Sequence, residues 1–523
     1  MNTTSVQEST NLANCEREPI RIPGSIQSHG ILIALQEPDL TILQISSNTM
    51  SLLDTPPEAL LQQELTILLG QAQVEQLKKG LLLSELQLIN PLKLHITVRG
   101  KELIFDGSVH RIDSLLILEM ELLSIPQGYS YWESYHAFQL IITRLQRIGS
   151  LTALCQFTAE EIRKLTGFDR VMVYQFDQNW NGIVIAEDRG EGVDTFMDLR
   201  FPASDIPSQA RELYTQNWLR LIADVNYQPV AIVPTNNPLT NAPLDLSFAA
   251  LRSVSPIHIE YLKNMGVGAS LSISLLKEHV LWGMIVCHHS IPRHLTYEIR
   301  ASCELVGRII SSQLYAKEND EDHTYEMKIK TLQAQLLQSI TKEDNAFDGL
   351  MKHGQEILEL VNAQGAVLCF EDRYAALGDV PPKDKVKQII VWLQGHTDES
   401  MFHTTSLPGL YTEAEQYQDV ACGLLVLPIS KIQGSYVLWF RPEIIKTVNW
   451  GGNPHAPVVA SEHDDKILHP RKSFERWKET ISQISAPWKD CELAAAFELR
   501  SGLMDIVLRD IILRQTLGTW LKS

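Results

Sequence analysis

The sequence predicts an α+β protein made of three small mixed α/β domains with antiparallel sheets, joined by long helices. Three observations carry this. A chain of 523 residues holds three or four domains at about 150 residues each. Short strand-like runs alternate with helical ones along most of it. From Tyr297 a helical spacing sets in and continues through NDEDHTYEMKIKTLQAQLLQSI without glycine or proline. With 44 % hydrophobic and 21 % charged residues, the chain has material for several cores and is neither disordered nor fibrous.

The first domain reads as strands with turn signals: GILIALQ, TILQISSN, LKLHITVRG and LIFDGSVHRIDSLLILEMEL. Leu94, Ile96 and Val98 alternate with polar residues, the period of a half-buried antiparallel strand. A helix is expected from Tyr135 to Thr166, with Phe138, Ile141, Ile142, Leu145 and Ile148 at helical spacing. VMVYQF and GIVIAE follow as strands, then an Asn- and Pro-rich stretch from Asp224 to Leu246, long enough to be either functional or disordered. ASLSISLL and LWGMIVCHH read as central strands of the second domain. Ile299, Cys303, Val306, Ile310 and Lys317 then share a helical stripe. That helix is either a connecting spine that also packs on a partner chain or an ordinary amphipathic helix. A third mixed domain spans about 345–490, with strand candidates AVLCF, QIIVWL, GLLVLPI and SYVLWF. From Leu493 to Leu521 the pattern is again an amphipathic helix, ending at Ser523 as if another domain followed.

Composition excludes several functions. Lys plus Arg number 45 against 63 Asp plus Glu, a formal charge of -18, which repels nucleic acid and anionic lipid though it leaves room for a local basic pocket. No apolar run reaches the 18 or so residues of a membrane span, and the polar start lacks the layout of a secretory signal. Cys15, Cys155, Cys287, Cys303, Cys369, Cys422 and Cys491 are odd in number and never spaced as CxxC. That argues against a disulfide framework or a zinc cage and for the reducing cytosol. Signatures such as GxGxxG, GxxxxGK[ST], HExxH and GxSxG are missing. His288 and His289 are adjacent and so point to opposite faces of a strand, which disfavours a shared metal.

Unusual residues concentrate in the second domain. FPASDIPSQARELYTQNWLRL sets Asp205 between two prolines in a rigid turn, with Arg211 and Arg220 expected on the next helix. LRSVSPIHIEYLKNMGVGASLSISL gathers Arg252, His258 and Tyr261, then Ser270 and Ser272 on one strand face. Apolar, aromatic and a few charged groups converging this way make a small-molecule pocket. Singly, each has a plainer reading: Asp205 as a helix cap, His258 as a hydrogen-bonded core residue, Arg220 and Arg252 as surface charges.

Together, NCEREPIRIPGSIQSHG, GFDRVMVYQF, RFPASDIPSQARELYTQNWLRL, LRSVSPIHIEYLKNMGVGASLSISL and LWGMIVCHH closely resemble the chromophore-binding part of bacterial phytochromes. LWFRPE, WGGNP and PRKSFERW resemble the phytochrome-specific third domain with its hairpin tongue. The resemblance covers nearly the whole chain and implies the order PAS (1–128, with the N-terminal segment), GAF (129–318) and PHY (319–523), the tongue lying at about 446–482. It further implies a figure-of-eight knot between PAS and GAF, in which the segment near Ile26 threads a lasso formed by residues 224–250.

The family's chromophore is a linear tetrapyrrole. Plant and many cyanobacterial members link it through a cysteine beside the pocket histidine; here Ile257 and Ile259 flank His258. The other family position, just ahead of the PAS domain, is Cys15, which implies biliverdin held by a thioether. The resemblance assigns the propionates to Arg220 and Arg252, helped by Ser255, Ser270 and Ser272, each charge-assisted bond being worth on the order of 1.5–3 kcal/mol. It gives the pyrrole nitrogens the backbone carbonyl of Asp205, His258 a pyrrole-bound water, and His288 the D-ring carbonyl. Tyr174, Phe201, Tyr214 and Tyr261 wall the D ring, with Met172 beside it. Red light isomerises the bridge between rings C and D. Asp205 pairs with Arg471 before; that pair then breaks and Ser473 or neighbouring tongue residues take over, as the tongue refolds from hairpin to helix. The implied protein is a cytoplasmic red/far-red photoreceptor, homodimeric, not itself an enzyme, and signalling to a response regulator through a histidine kinase beyond this chain. A GAF-type sensor of some other small molecule, without photochemistry, is the competing reading.

Overall fold

The computed structural model describes residues 18–83, 85–123, 139, 141–145, 147–340, 346–370, 373–396, 400–430, 434–454, 459–461, 464–469 and 473–504. Cys15 and Arg471 lie outside the described residues, as do Tyr135 to Phe138 and the expected helix beyond 504. The chain divides into two compact units, 1–317 with 449–477, and 318–448 with 478–523.

The first unit opens with a seven-stranded sheet in the order β1-β11-β3-β2-β6-β5-β4. Its strands are β1 (Ser25–Ile26), β2 (Gly30–Gln36), β3 (Thr41–Ser46), β4 (Leu92–Val98), β5 (Lys101–Ile112), β6 (Leu115–Leu122) and β11 (Val230–Val233). On β4, Leu94 and Ile96 are buried while Lys93, His95 and Thr97 are exposed, the alternation the sequence predicts. Helix α1 (Thr66–Gly80), which the sequence reading passed over, packs Leu69, Val74 and Leu77 onto the same core.

The Asn- and Pro-rich stretch is ordered. The segment at 21–27 runs between two parts of it: Ile232 N–H donates to Gly24 O, while Leu246 N–H donates to Arg21 O, Gln27 N–H to Leu251 O and Ser253 N–H to Ser25 O.

The second sheet runs β10-β12-β13-β7-β8-β9-β19-β22. It comprises β7 (Arg170–Phe176), β8 (Gly182–Arg189), β9 (Leu199–Phe201), β10 (Leu219–Ile222), β12 (Ala269–Lys277), β13 (Val280–His289), β19 (Lys446–Gly451) and β22 (Arg476–Ile481). β19 joins parallel to β9, Asn449 opposite Leu199 and Trp450 opposite Arg200. One face packs Val171, Val173, Leu271, Ile273, Ile285 and Cys287 against α2 (Leu151–Thr166) and against Cys303, Val306, Ile310 and Leu314 of α5 (Tyr297–Ile340). Cys287 is fully buried and its thiol is pushed well up by burial, which disfavours the reactive thiolate.

Two expectations fail here. Arg220 stands on strand β10, not on the preceding helix, which ends at Gln216. The helix expected over Tyr135 to Thr166 is not continuous: Ser150 is extended (φ -120°, ψ 154°), and its hydroxyl accepts the Ala153 N–H at 3.3 Å, starting α2 afresh. A serine cap outcompetes helix continuation where Gly149 has already weakened it.

The second unit is built on a five-stranded sheet, β15-β14-β18-β17-β16, with β15 at Arg373–Gly378 and β16 at Phe402–Thr404. AVLCF, GLLVLPI and SYVLWF form β14 (Gly365–Phe370), β17 (Gly423–Ser430) and β18 (Ser435–Arg441). QIIVWL, expected as a strand, lies instead in helix α6 (Lys383–His396). Val386, Ile389 and Leu393 are buried there while Val391 is 68 % exposed. A six-residue apolar run fits either period, and the flanking residues decide for 3.6.

Candidate functional site

The other face of the second sheet is open. Across it Arg220 sits opposite Ser272, Ser272 opposite Val286 and Val286 opposite Met172. One row along, Ile222 faces Ser270 and Ser270 faces His288; in the next, Ser274 faces Met284 and Met284 faces Tyr174. The two-residue period thus puts every polar candidate on these strands on one face. Tyr174 needs Gly182: a Cβ there would lie 1.6 Å from its ring Cζ.

The facing wall comes from FPASDIPSQA and from helix α4 (Pro256–Asn264). Arg211 Nη1 donates to the Ile206 carbonyl at 2.6 Å and fixes the turn between the prolines. Asp205 does not cap the following helix α3 (Ser208–Gln216), whose N-cap is Pro207; its carboxylate accepts the Tyr261 hydroxyl at 2.9 Å. His258 and Tyr261, three apart on α4, share a face with rings 6.0 Å apart and nearly parallel. Phe474 meets Tyr261 edge-on at 4.9 Å. Ser473 is exposed, its hydroxyl accepting the Glu475 N–H at 3.4 Å.

These walls enclose two connected spaces. The outer cavity, about 850 Å³, is lined by Arg220, Arg252, Ser253, Ser255 and Ile257 among others. The inner chamber, about 80 Å³, is lined by Met172, Tyr174, Phe201, Ser270 and His288. Asp205, Tyr214, His258, Tyr261 and Ser272 border both. Sequence reasoning missed Phe196, Met284 and Val286 of the inner chamber. Counting by twos back from His288 finds the latter two; Phe196 sits in a loop with no such signal.

The electrostatics are those of a site built for an anion. Burial pulls the Arg220 pKa down, and burial together with the Arg220 charge pushes Arg252 down to about 9. Arg220 Nη1 donates to the carbonyls of Ala249 and Ala250 at 3.2 Å each, and Nη2 to that of Arg252. Arg252 Nη1 is buried without a hydrogen bond, as is His288 Nδ1. Burial holds His258 at about 4 and His288 at about 3, each helped by a neighbouring arginine, so both rings are neutral at pH 7. Ser255 is already engaged, donating to Glu18 at 2.7 Å. One buried and one half-buried arginine, an unused guanidinium N–H and an aromatic chamber suit a long apolar ligand carrying carboxylates. Among the described residues no group of three His, Cys, Asp or Glu is placed to hold a metal ion, and no helix is long and apolar enough to cross a membrane.

A sheet with a closed core on one face and a ligand chamber on the other is the frame of a small-molecule sensor. The PAS fold is matched over residues 15–123, the GAF domain over 150–314 and the phytochrome region over 329–511. The chain is 48 % identical over 509 residues to cyanobacterial phytochrome B of Nostoc sp., covering 97 % of this chain and 68 % of that protein. It is 34 % identical to the bacteriophytochrome of Pseudomonas aeruginosa, covering 95 % and 67 %. The crystal structure of a bacteriophytochrome from R. palustris superposes with a TM-score of 0.81 at 40 % identity, covering 95 % of this chain and 99 % of that one. The photosensory core module of the Stigmatella aurantiaca phytochrome gives 0.78 at 43 %, covering 95 % and 98 %. The chain belongs to the phytochrome family. It spans about two thirds of the length of its cyanobacterial and bacterial relatives and less than half that of the plant phytochromes it matches.

Proposed function

We propose that this chain is a red/far-red photoreceptor module that holds biliverdin in the two connected spaces, tethered to Cys15. The observation that carries the reading is a pair of arginines, Arg252 buried with a guanidinium N–H left unbonded and Arg220 half-buried, beside a chamber walled by Tyr174, Phe201, Tyr214 and Tyr261. The residues fit the group. Arg252 and Arg220 offer charge-assisted donors to two propionates, whose negative charge offsets a buried and a half-buried cation. Ser272 and Ser270 add hydroxyls along the same face, and the Asp205 carbonyl and neutral His258 supply acceptors. His288 brings an unpartnered ring nitrogen to the inner chamber, and Met172 packs beside it.

When bound, the tetrapyrrole supplies red absorption and isomerisation between its C and D rings. The protein holds the rest of the ligand still with its arginines and leaves the aromatic end chamber without an arginine or lysine in its lining. Asp205, on its proline-bracketed turn, exchanges one tongue partner for another, Arg471 for Ser473, and segment 446–482 refolds, a bistable element biased by a local event. The long helices carry the change into a homodimer, and an output module, a histidine kinase acting on a response regulator in the cytosol, reads it.

Adding biliverdin to the purified apoprotein and recording spectra before and after red light tests the reading. A red band that is lost on illumination while a far-red band grows, reversibly, is the expected result. Colour that illumination never alters marks a non-photochemical sensor instead. Pigment that stays on a Cys15→Ser variant after denaturation overturns the tether. Labelled ATP is expected to leave this chain unlabelled.

A further inference from the structure

The turn at 249–252 offers more than its carbonyls. Ala250 N–H donates to Glu119 Oε1 at 3.1 Å and Leu251 N–H to Glu119 Oε2 at 2.7 Å. The carbonyls of those same two peptide groups belong to Ala249 and Ala250, and both accept from Arg220 Nη1 at 3.2 Å. Each peptide group therefore lies between a carboxylate at its N–H end and a guanidinium at its C=O end. Charges of opposite sign at the two ends polarise the group and strengthen both bonds. Glu119 stands on β6 of the PAS sheet, 3 % exposed; Arg220 stands on β10 of the GAF sheet.

We propose that Glu119 is the counter-ion of Arg220, acting through two peptide groups, and is a positioning residue for the guanidinium that receives a ligand carboxylate. This rests on the reading of Arg220 as a propionate partner.

The groups facing Glu119 are few. His110 on β5 places Nδ1 3.8 Å from it, and burial pushes that ring down to about 4, so it is neutral near pH 7. Glu121, on the same strand, is kept ionised despite its burial by Arg300 of α5, which pairs with it at 2.8 Å, and by His29. Burial pushes Glu119 up to about 7 against the pull of the two N–H groups. The relay is thus charged above pH 7 and neutral below it. Between about 4.5 and 7 the folded protein binds a proton that the unfolded chain does not, so this group's contribution to stability declines as pH rises through that window.

The test is biliverdin affinity across pH 6 to 8, in a Cys15→Ser background so that binding stays reversible, for the parent, Glu119→Gln, Arg220→Ala and the double variant. Arg220→Ala is expected to weaken binding about tenfold, the loss of a charge-assisted bond. At pH 8, Glu119→Gln is expected to weaken binding several-fold when Arg220 is present and not at all when it is absent. The parent is expected to bind more weakly at pH 6 than at pH 8, with Glu119→Gln flat. Loss of a distant negative charge alone strengthens anion binding on acidification, so the sign separates positioning from bulk electrostatics. Equal losses in both backgrounds, or affinity that rises at pH 6, overturn the relay. An Arg220→Ala protein that binds like the parent overturns the propionate assignment instead. Melting of the apoprotein gives a second readout: relative to the parent, Glu119→Gln is expected to lose the contribution that declines between pH 4.5 and 7, so that its stability rises more with pH over that window. If that variant does not fold, Glu119→Asp is expected to retain a pH step and to weaken binding only when Arg220 is present.

Discussion

The two faces of the GAF sheet are made by the same strands and serve opposite ends. Leu271, Ile273, Ile285, Cys287, Val171 and Val173 point one way and are closed over by α2 and α5. Ser270, Ser272, Val286, His288, Met172 and Tyr174 point the other way, into the cavities. The closed face consists of side chains that are satisfied by packing alone. The open face, and the turn at 249–252 that lines the same cavity, hold groups that packing leaves unsatisfied, His288 Nδ1 and Arg252 Nη1. The difference shows which face stabilises the fold and which holds stability in reserve for a ligand.

Removing bulk from the closed face is expected to have the largest effect. Ile285→Ala should cost about 2–5 kcal/mol in denaturant unfolding of the apoprotein, because the fully buried site cannot collapse. Arg252→Met is expected to do the reverse: biliverdin affinity falls at least about tenfold, while the apoprotein melts no lower than the parent. An arginine whose pKa is pushed down to about 9 is less stable charged in the fold than in the unfolded chain, and that penalty is fully present below pH 9. An apoprotein clearly destabilised by this change would erase the contrast between the faces.

Gly182→Ala sharpens it from the aromatic end. With a methyl placed 1.6 Å from Tyr174, the ring must move, at about 1–3 kcal/mol, and a crystal structure of the variant should show it displaced. His258→Gln combined with His288→Gln tests the neutral imidazoles. Their folded pKa values, about 4 and about 3, lie below the ordinary 6.5, so their contribution falls as pH drops from 6.5 towards 3. The double variant should lose less stability on acidification over that range than the parent, as followed by melting temperature. Ser255→Ala is expected to be smallest, below about 1 kcal/mol, since it removes one partly exposed bond to Glu18.

Much of the site was legible because periodicity carries it. Ser270 and Ser272 were readable as one face, and His288 as opposite in direction to His289, from the pleat alone. Phe196 was not readable, since it reaches the chamber from a loop. Arg220 was placed on the wrong element, because the helix before it ends at Gln216 for reasons of packing that WLRL does not reveal. QIIVWL was ambiguous for the same reason: six apolar residues satisfy two periods, and only burial chooses.

Local order alone set the alternating strands, the proline-bracketed Asp205 turn and the adjacency of charged and aromatic residues, since these depend on neighbours a few bonds away. What joins Glu119 to the turn at 250–251, runs residues 21–27 between 232 and 246–253, and leaves Arg252 buried without a full set of partners depends on residues more than a hundred positions apart. Such contacts exist only once loop closure has brought distant backbone groups into hydrogen-bonding range, and no local pattern encodes that distance.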